Sequence, residues 1–337
     1  MKIAVEESGF FRCRDNAFEA SVLCGLIVPD SLTATVRGFT AEMRERWNKP
    51  ELKASRLRPG QILEVAEFLA AHPIAAVVYV SDTTMTTRAA VARQRIGQAA
   101  EFLRARQRLA ADHPADPRLS EIDQVIDMVA GCSTERRMSD DDFIQSQQLP
   151  ELILECVSRA CGRYWLPEWE PDFERFEIVL DRKLPGDLKA GERYVHEHLE
   201  RLLGSSRRFA IELPPPWRHQ PRHPFRKHFD SPDGEYTMLD SLLGSRRWVD
   251  SRDDDCVQLA DIIAGTVRRT IEKGLRSSRR QAFETLRLVM ADEHGWCFHF
   301  YRYRDAPDPD LRRYLPLLRA WPQEPRFTRR VGGVLVA

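Results

Sequence analysis

The chain has 337 residues, 42% of them hydrophobic and 30% charged, an ordinary globular composition with enough apolar material for a substantial core. Lys plus Arg and Asp plus Glu each number 51, so the formal net charge is zero. That excludes a protein that coats duplex nucleic acid through uniformly basic charge; any such contact has to be local.

No apolar stretch is long enough to cross a bilayer. The opening MKIAVEESG sets two carboxylates where a signal peptide needs an apolar run, so a cytoplasmic location is expected. The seven cysteines (Cys13, Cys24, Cys132, Cys156, Cys161, Cys256, Cys297) form no CxxC pair and read as reduced, mostly buried thiols rather than a zinc site.

In chain order, residues 2–6 predict a short strand ending at the turn pair Ser8-Gly9, and FEASVLCGLIV at 18–28 predicts a second strand. Pro29-Asp30-Ser31 punctuates, and a helix to about Trp47 follows. Pro59 opens another helix ending near His72, and AAVVYVS at 75–81 is an apolar strand expected at the sheet centre. Three helical segments come next, Thr87–Asp112, Leu119–Val129 and Asp141–Cys161. FEIVLD at 176–181 is a fourth strand, 187–203 a helix, and RFAIEL at 208–213 a fifth strand. The proline-rich 214–229 segment cannot be regular structure. Helices at 255–273 and 277–292 precede WCFHFYRY, read as an edge strand, and a Pro/Arg-rich tail.

This order predicts an α/β fold, compatible with a ribonuclease-H-like mixed sheet of five strands flanked by helices, with a helical insertion. The expected divisions are 1–84 and 171–275 as two halves of the core, 85–170 as the insertion, and 276–337 as a C-terminal helix and tail.

Four acidic positions lie at the edges of these elements. Glu6 and Glu7 close the first strand; adjacent strand residues point to opposite faces, so only one of them can face a shared site. Both also read as a solvated strand end. Glu51 and Lys53, in ELKAS, share a side if that piece is extended, and equally read as a surface ion pair. Asp181 ends the apolar Ile178-Val179-Leu180 run, at the carboxyl end of a buried strand, where open α/β sheets build their sites. Asp261 sits in VQLADIIAG, apolar on nearly every side, and an unpaired buried charge there is costly. It needs a metal, another cation or an altered protonation state; pairing with Arg268 or Arg269 is the plain alternative. Asp254, Gln258, Asp261 and Gly265 fall on one helical stripe. Asp253, Asp254 and Asp255 also suit helix capping.

Carboxylates converging from distant segments are the donor set that hard divalent cations choose, and two such ions can assist phosphodiester hydrolysis. The one concentrated basic stretch, Arg218 to His228, carries Arg218, Arg222, Arg226 and Lys227 with Trp217 and Phe225 interleaved. That composition suits phosphate contact and base stacking, and reads equally as a solvated loop paired with Asp230 and Asp233.

Four short motifs in order, VEESG at 5–9, ELKAS at 51–55, VLDRK at 179–183 and VQLADIIAG at 257–265, resemble the family catalogued as domain of unknown function 3800. Those proteins open on an apolar strand running into Asp-Glu-Ser-Gly and later carry a helix with Gln-Leu-Ala-Asp. The resemblance implies a ribonuclease-H-like fold and a magnesium- or manganese-dependent nuclease, in a family often linked to mobile elements and phage defence. Carried onto this chain, it implies Glu6 (or Glu7), Glu51, Asp181 and Asp261 as metal ligands. Lys53 would meet the scissile phosphate, with Ser8 and Gln258 supporting. The chain departs from the pattern at the first strand, where Glu6 stands for the family's Asp and adds a methylene to a geometry-sensitive position.

Two other readings stand beside the nuclease. One is a nucleic-acid-binding protein of the same fold with a degraded metal site, gripping DNA or RNA through the 218–228 loop. The other is a partner-binding protein that docks through the 85–163 helices.

Overall fold

The computed structural model describes residues 1–9, 11, 18–131, 138–164, 166–183, 188–189, 191–197, 243–273, 277–292, 295–296, 298–301, 303, 311–314, 328–329 and 334–336. The predicted strand at 208–213 and the basic loop with Arg218, Arg222, Arg226 and Lys227 lie outside the described residues.

The strands are β1 (Lys2–Ser8), β2 (Ala20–Val28), β3 (Ala75–Asp82), β4 (Phe176–Asp181), β5 (Leu243–Val249) and β6 (Phe298–Tyr301). The helices are α1 (Thr33–Arg46), α2 (Pro59–Ala71), α3 (Arg88–Asp112), α4 (Arg118–Ala130), α5 (Asp140–Arg163), α6 (Asp255–Lys273) and α7 (Ser277–Met290). Local chemistry sets several boundaries: Pro59 occupies the first turn of α2, the Ser139 side chain caps α5, and Gly131 ends α4 in the left-handed conformation.

The fold is α/β, with a mixed sheet in the order β5-β4-β1-β2-β3-β6 flanked by helices. β2 lies antiparallel between β1 and β3, while β4 runs parallel to β1, β5 to β4 and β6 to β3. The expectation of five strands is corrected to six. β6 comes from the segment read as an edge strand, yet it is flanked on both sides. Beyond it lie the short strands β8 (Val334–Val336) and β7 (Thr328–Arg329).

Each face of the sheet carries a helical layer, and each layer has its own apolar cluster. α1, α2, α6 and α7 cover one face, packing against Ala4, Cys24, Val78 and Val179. Residues of α3, α4 and α5 cover the other, packing against Ile3, Val5, Leu23 and Ile178. Every residue of β2 and β3 is buried, as expected of strands covered on both faces. Gly25 matters here: a Cβ on it would collide with the Cys156 sulfur of α5, so glycine lets that helix approach β2. The segment expected as an insertion therefore supplies one layer of the shared core. Among the described residues no helix is long and apolar enough to cross a membrane.

β5, LGSRRWV, went unread in the sequence because Gly, Ser and two Arg hide its alternation. Among the described residues it is the end strand of the sheet, a position that tolerates charge. Ser245 and Arg247 are exposed, Arg247 Nε donates to Glu177 at 2.8 Å, and Trp248 packs on the α5-side cluster.

Candidate functional site

Strand alternation decides between the two glutamates. Ile3 and Val5 face α5 while Ala4 faces α6, so Glu6 is directed to the α6 side and Glu7 to the α5 side. The β1–β4 register pairs Val5 with Leu180. One step further brings Glu6 beside Asp181. On its other side Glu6 is paired with Cys24 of β2, and α6, which packs across β1 and β2, adds Asp261.

The result is a cluster of three carboxylates from segments far apart in the chain. Glu6 is 6% exposed. Burial pushes its carboxyl well above the usual range, the Asp181 and Asp261 charges push it further, and it is hydrogen-bonded to Asp181; Lys53 acts the other way. Asp181 is pushed up to about 6 by burial, against the pull of Lys53, the Glu6 hydrogen bond and the Ser251 backbone. Burial also raises Asp261, opposed by the Ala54 N–H, Lys53 and Arg269. The Cys24 thiol beneath them is driven up by burial and by the charges of Glu6 and Asp261, so it is inert as a nucleophile.

Repulsion between buried like charges favours keeping one proton in the cluster, and Glu6 is the group pushed well above the usual carboxylate range. One oxygen of Glu6, Oε2, is buried without a hydrogen-bond partner. An orphaned buried carboxyl oxygen among further carboxylates is chemically a hard-cation donor set. Among the described residues no three His, Cys, Asp or Glu side chains already stand as a coordination shell; the carboxylates meet as a proton-sharing group.

Around them is a scaffold that holds the Glu51–Ala54 segment against α6. The Asp261 carboxylate accepts the Ala54 N–H at 2.6 Å. Gln258, fully buried, accepts the Leu52 N–H at 2.9 Å and donates to the Ser251 carbonyl at 3.0 Å. Gln258 therefore fixes the ELKAS segment against α6. Gly265 permits the contact: a Cβ there would lie 2.5 Å from the Ala54 Cβ and 3.8 Å from Ser8 Oγ.

Glu51 Oε1 accepts from Ser251 Oγ at 2.5 Å, and Lys53 Nζ lies 3.2 Å from the same oxygen. Arg56 follows at 3.8 Å. Burial disfavours the Lys53 charge, but Glu51, Asp261 and Asp181 outweigh it and raise the ammonium's pKa. Lys53 is thus the cation of the cluster, with its side chain 36% exposed.

Asp254 leaves the proposed helical stripe. Its Oδ1 caps α6 through the Cys256 and Val257 N–H groups at 3.0 and 3.2 Å, and Oδ2 takes Lys2 Nζ at 3.1 Å. Arg269 donates to the Ala54 carbonyl, and Arg268 lies 3.6 Å from Glu272.

Glu7 does not join the carboxylates, which corrects its expected role as a ligand. On the α5 side it is ion-paired with Lys183 and hydrogen-bonded by Gln145. Sequence reasoning missed Gln145, Lys183 and Trp248. Each is ordinary in its local context and becomes notable only through the sheet. A small open cleft runs among Glu6, Glu7, Gln145, Asp181 and Trp248.

The fold and the site together define an α/β protein with a carboxylate cluster and one ammonium at the ends of adjacent strands. Comparison with family models, curated proteins and solved structures finds no match to this chain. The resemblance drawn from the sequence rests on its four short motifs.

Proposed function

We propose that this protein is a metal-dependent nuclease with a ribonuclease-H-like core. On this reading it hydrolyses phosphodiester bonds of DNA or RNA in the cytoplasm, in phage defence or mobile-element biology. The observation that carries the reading is the meeting of Glu6, Asp181 and Asp261 around an orphaned carboxyl oxygen. The antiparallel β1-β2-β3 group with β4 and β5 parallel to β1 supports the fold assignment. Among the described residues Cys24, Cys156, Cys161 and Cys256 are all buried, which supports the reading of reduced core thiols and a reducing compartment.

Glu6, Asp181 and Asp261 would hold Mg²⁺ or Mn²⁺, with Glu51 positioning Lys53. A bound divalent ion supplies Lewis acidity and a water of lowered pKa. Lys53, partly exposed, neutralises a non-bridging phosphate oxygen. Gln258 and Gly265 keep the Lys53 segment seated, so that the ammonium is in place before substrate arrives.

The test is cleavage of labelled single- and double-stranded DNA and RNA with Mn²⁺, comparing wild type with Asp181→Asn and Asp261→Asn. Mn²⁺-dependent thermal stabilisation is followed in parallel. Loss of cleavage and of stabilisation in both variants is expected. Equal products from all three proteins would end the nuclease reading. A metal-independent band shift without cleavage would establish the nucleic-acid-binding alternative instead, and neither result would leave partner docking.

A further inference from the structure

Beyond the carboxylates, on the opposite face of the sheet, three polar side chains close a triangle. Lys183 Nζ is ion-paired with Glu7 and lies 3.2 Å from Gln145 Oε1. The amide nitrogen of Gln145 donates to the other oxygen of Glu7. Each member touches the other two, and the three come from different elements: the end of β1, α5, and the chain just after β4.

The location of this triangle is informative. The β1–β4 ladder runs from the Lys2–Glu177 pair to the Val5–Leu180 pair and ends there. Glu6 and Asp181 are the next residues on, where the ladder no longer ties the two strands. Glu7 directly follows Glu6, and Lys183 lies two residues beyond Asp181, so their ion pair spans the unladdered ends. Glu192, 2% exposed, fixes the Lys183 end: one carboxylate oxygen accepts the Lys183 N–H at 3.1 Å and the other the Lys189 N–H at 2.7 Å.

We infer that the Glu7–Lys183–Gln145 triangle is a positioning clasp that sets the spacing of Glu6 and Asp181 and thereby the affinity of the cluster for a divalent cation. This deepens the function proposed above and rests on it. Glu7 then has a role without being a ligand. Cation binding draws on groups whose spacing has to be held within a fraction of an ångström, and loss of groups that orient ligands from behind weakens metal binding about 10- to 100-fold.

The experiment is Mn²⁺ titration calorimetry on the full chain, with apo melting temperature measured alongside. The proteins are wild type, Lys183→Met, Gln145→Leu and the charge exchange Glu7→Lys with Lys183→Glu. Lys183→Met is expected to weaken Mn²⁺ binding about tenfold or more, Gln145→Leu to weaken it less, and the exchanged pair to recover most of the loss. Gln145→Leu keeps the ion pair and so covers the case in which Lys183→Met fails to fold. Unchanged Mn²⁺ affinity in the folded variants, with only the apo melting temperature lowered, would overturn the inference and leave the triangle as mere glue. Wild type that binds no Mn²⁺ would instead overturn the metal reading, and the clasp's role with it.

Discussion

The carboxyl groups of Glu6 and Asp181 face each other across the ends of β1 and β4 and share a hydrogen bond. Two acids that belong to different halves of the chain become one titrating unit, and the behaviour of the metal-free protein follows from that.

Asp181 has a folded-state pKa of about 6 against an ordinary value of 3.8. A raised pKa means that the folded state holds the proton more tightly than the unfolded one. The resulting stability is complete below 3.8 and is lost as pH rises through about 6. In EDTA, Asp181→Asn is therefore expected to stabilise the protein by about 1–3 kcal/mol at pH 8, with the gain shrinking toward pH 4. Thermal melts of both proteins across that range check it; a variant destabilised at every pH would contradict the titration.

Gly265→Ala places a methyl 2.5 Å from the Ala54 Cβ. Overpacking of this kind costs about 1–3 kcal/mol, and here it displaces the segment carrying Glu51 and Lys53. Urea unfolding should show the loss, and Ala54→Gly in the same chain should recover most of it. Additive destabilisation by the two changes would mean that the helix and the segment do not touch at this point.

Gln258→Leu removes the partners of the Leu52 N–H and the Ser251 carbonyl. Each orphaned buried group costs about 1–3 kcal/mol, so a loss of about 2–5 kcal/mol is expected by urea unfolding. Hydrogen exchange at the Leu52 amide should quicken before that at the α6 amides. Simultaneous quickening of both would show that the side chain holds the helix itself.

Lys53→Met removes the one ammonium that lowers the pKa of Glu6, Asp181 and Asp261 together. Carboxyl titration by NMR should place the Asp181 midpoint above its wild-type value, and cleavage should fall while the fold persists. An unmoved Asp181 midpoint would place the ammonium too far away to act on substrate at this site.

Most of the elements and the identity of the acids were legible in the residues alone. Period-2 and period-3.6 patterns and their Pro and Gly punctuation are local signals. They placed β1 to β4 and α1 to α7 close to where they lie. They also marked Asp181 at a strand end and Asp261 on an apolar helix.

Tertiary structure decided the rest, because pairing and facing are relations between segments. Glu6 rather than Glu7 joins the cluster because α6, and not α5, packs on that face of β1. Gln258 reaches Leu52 because Gly265 lets the ELKAS segment lie against the helix. β5 was hidden because Gly244, Ser245, Arg246 and Arg247 interrupt the apolar alternation that marks a strand. Lys183 and Gln145, 38 residues apart in the chain, meet because the sheet places the end of β4 under α5, a juxtaposition that no local periodicity encodes.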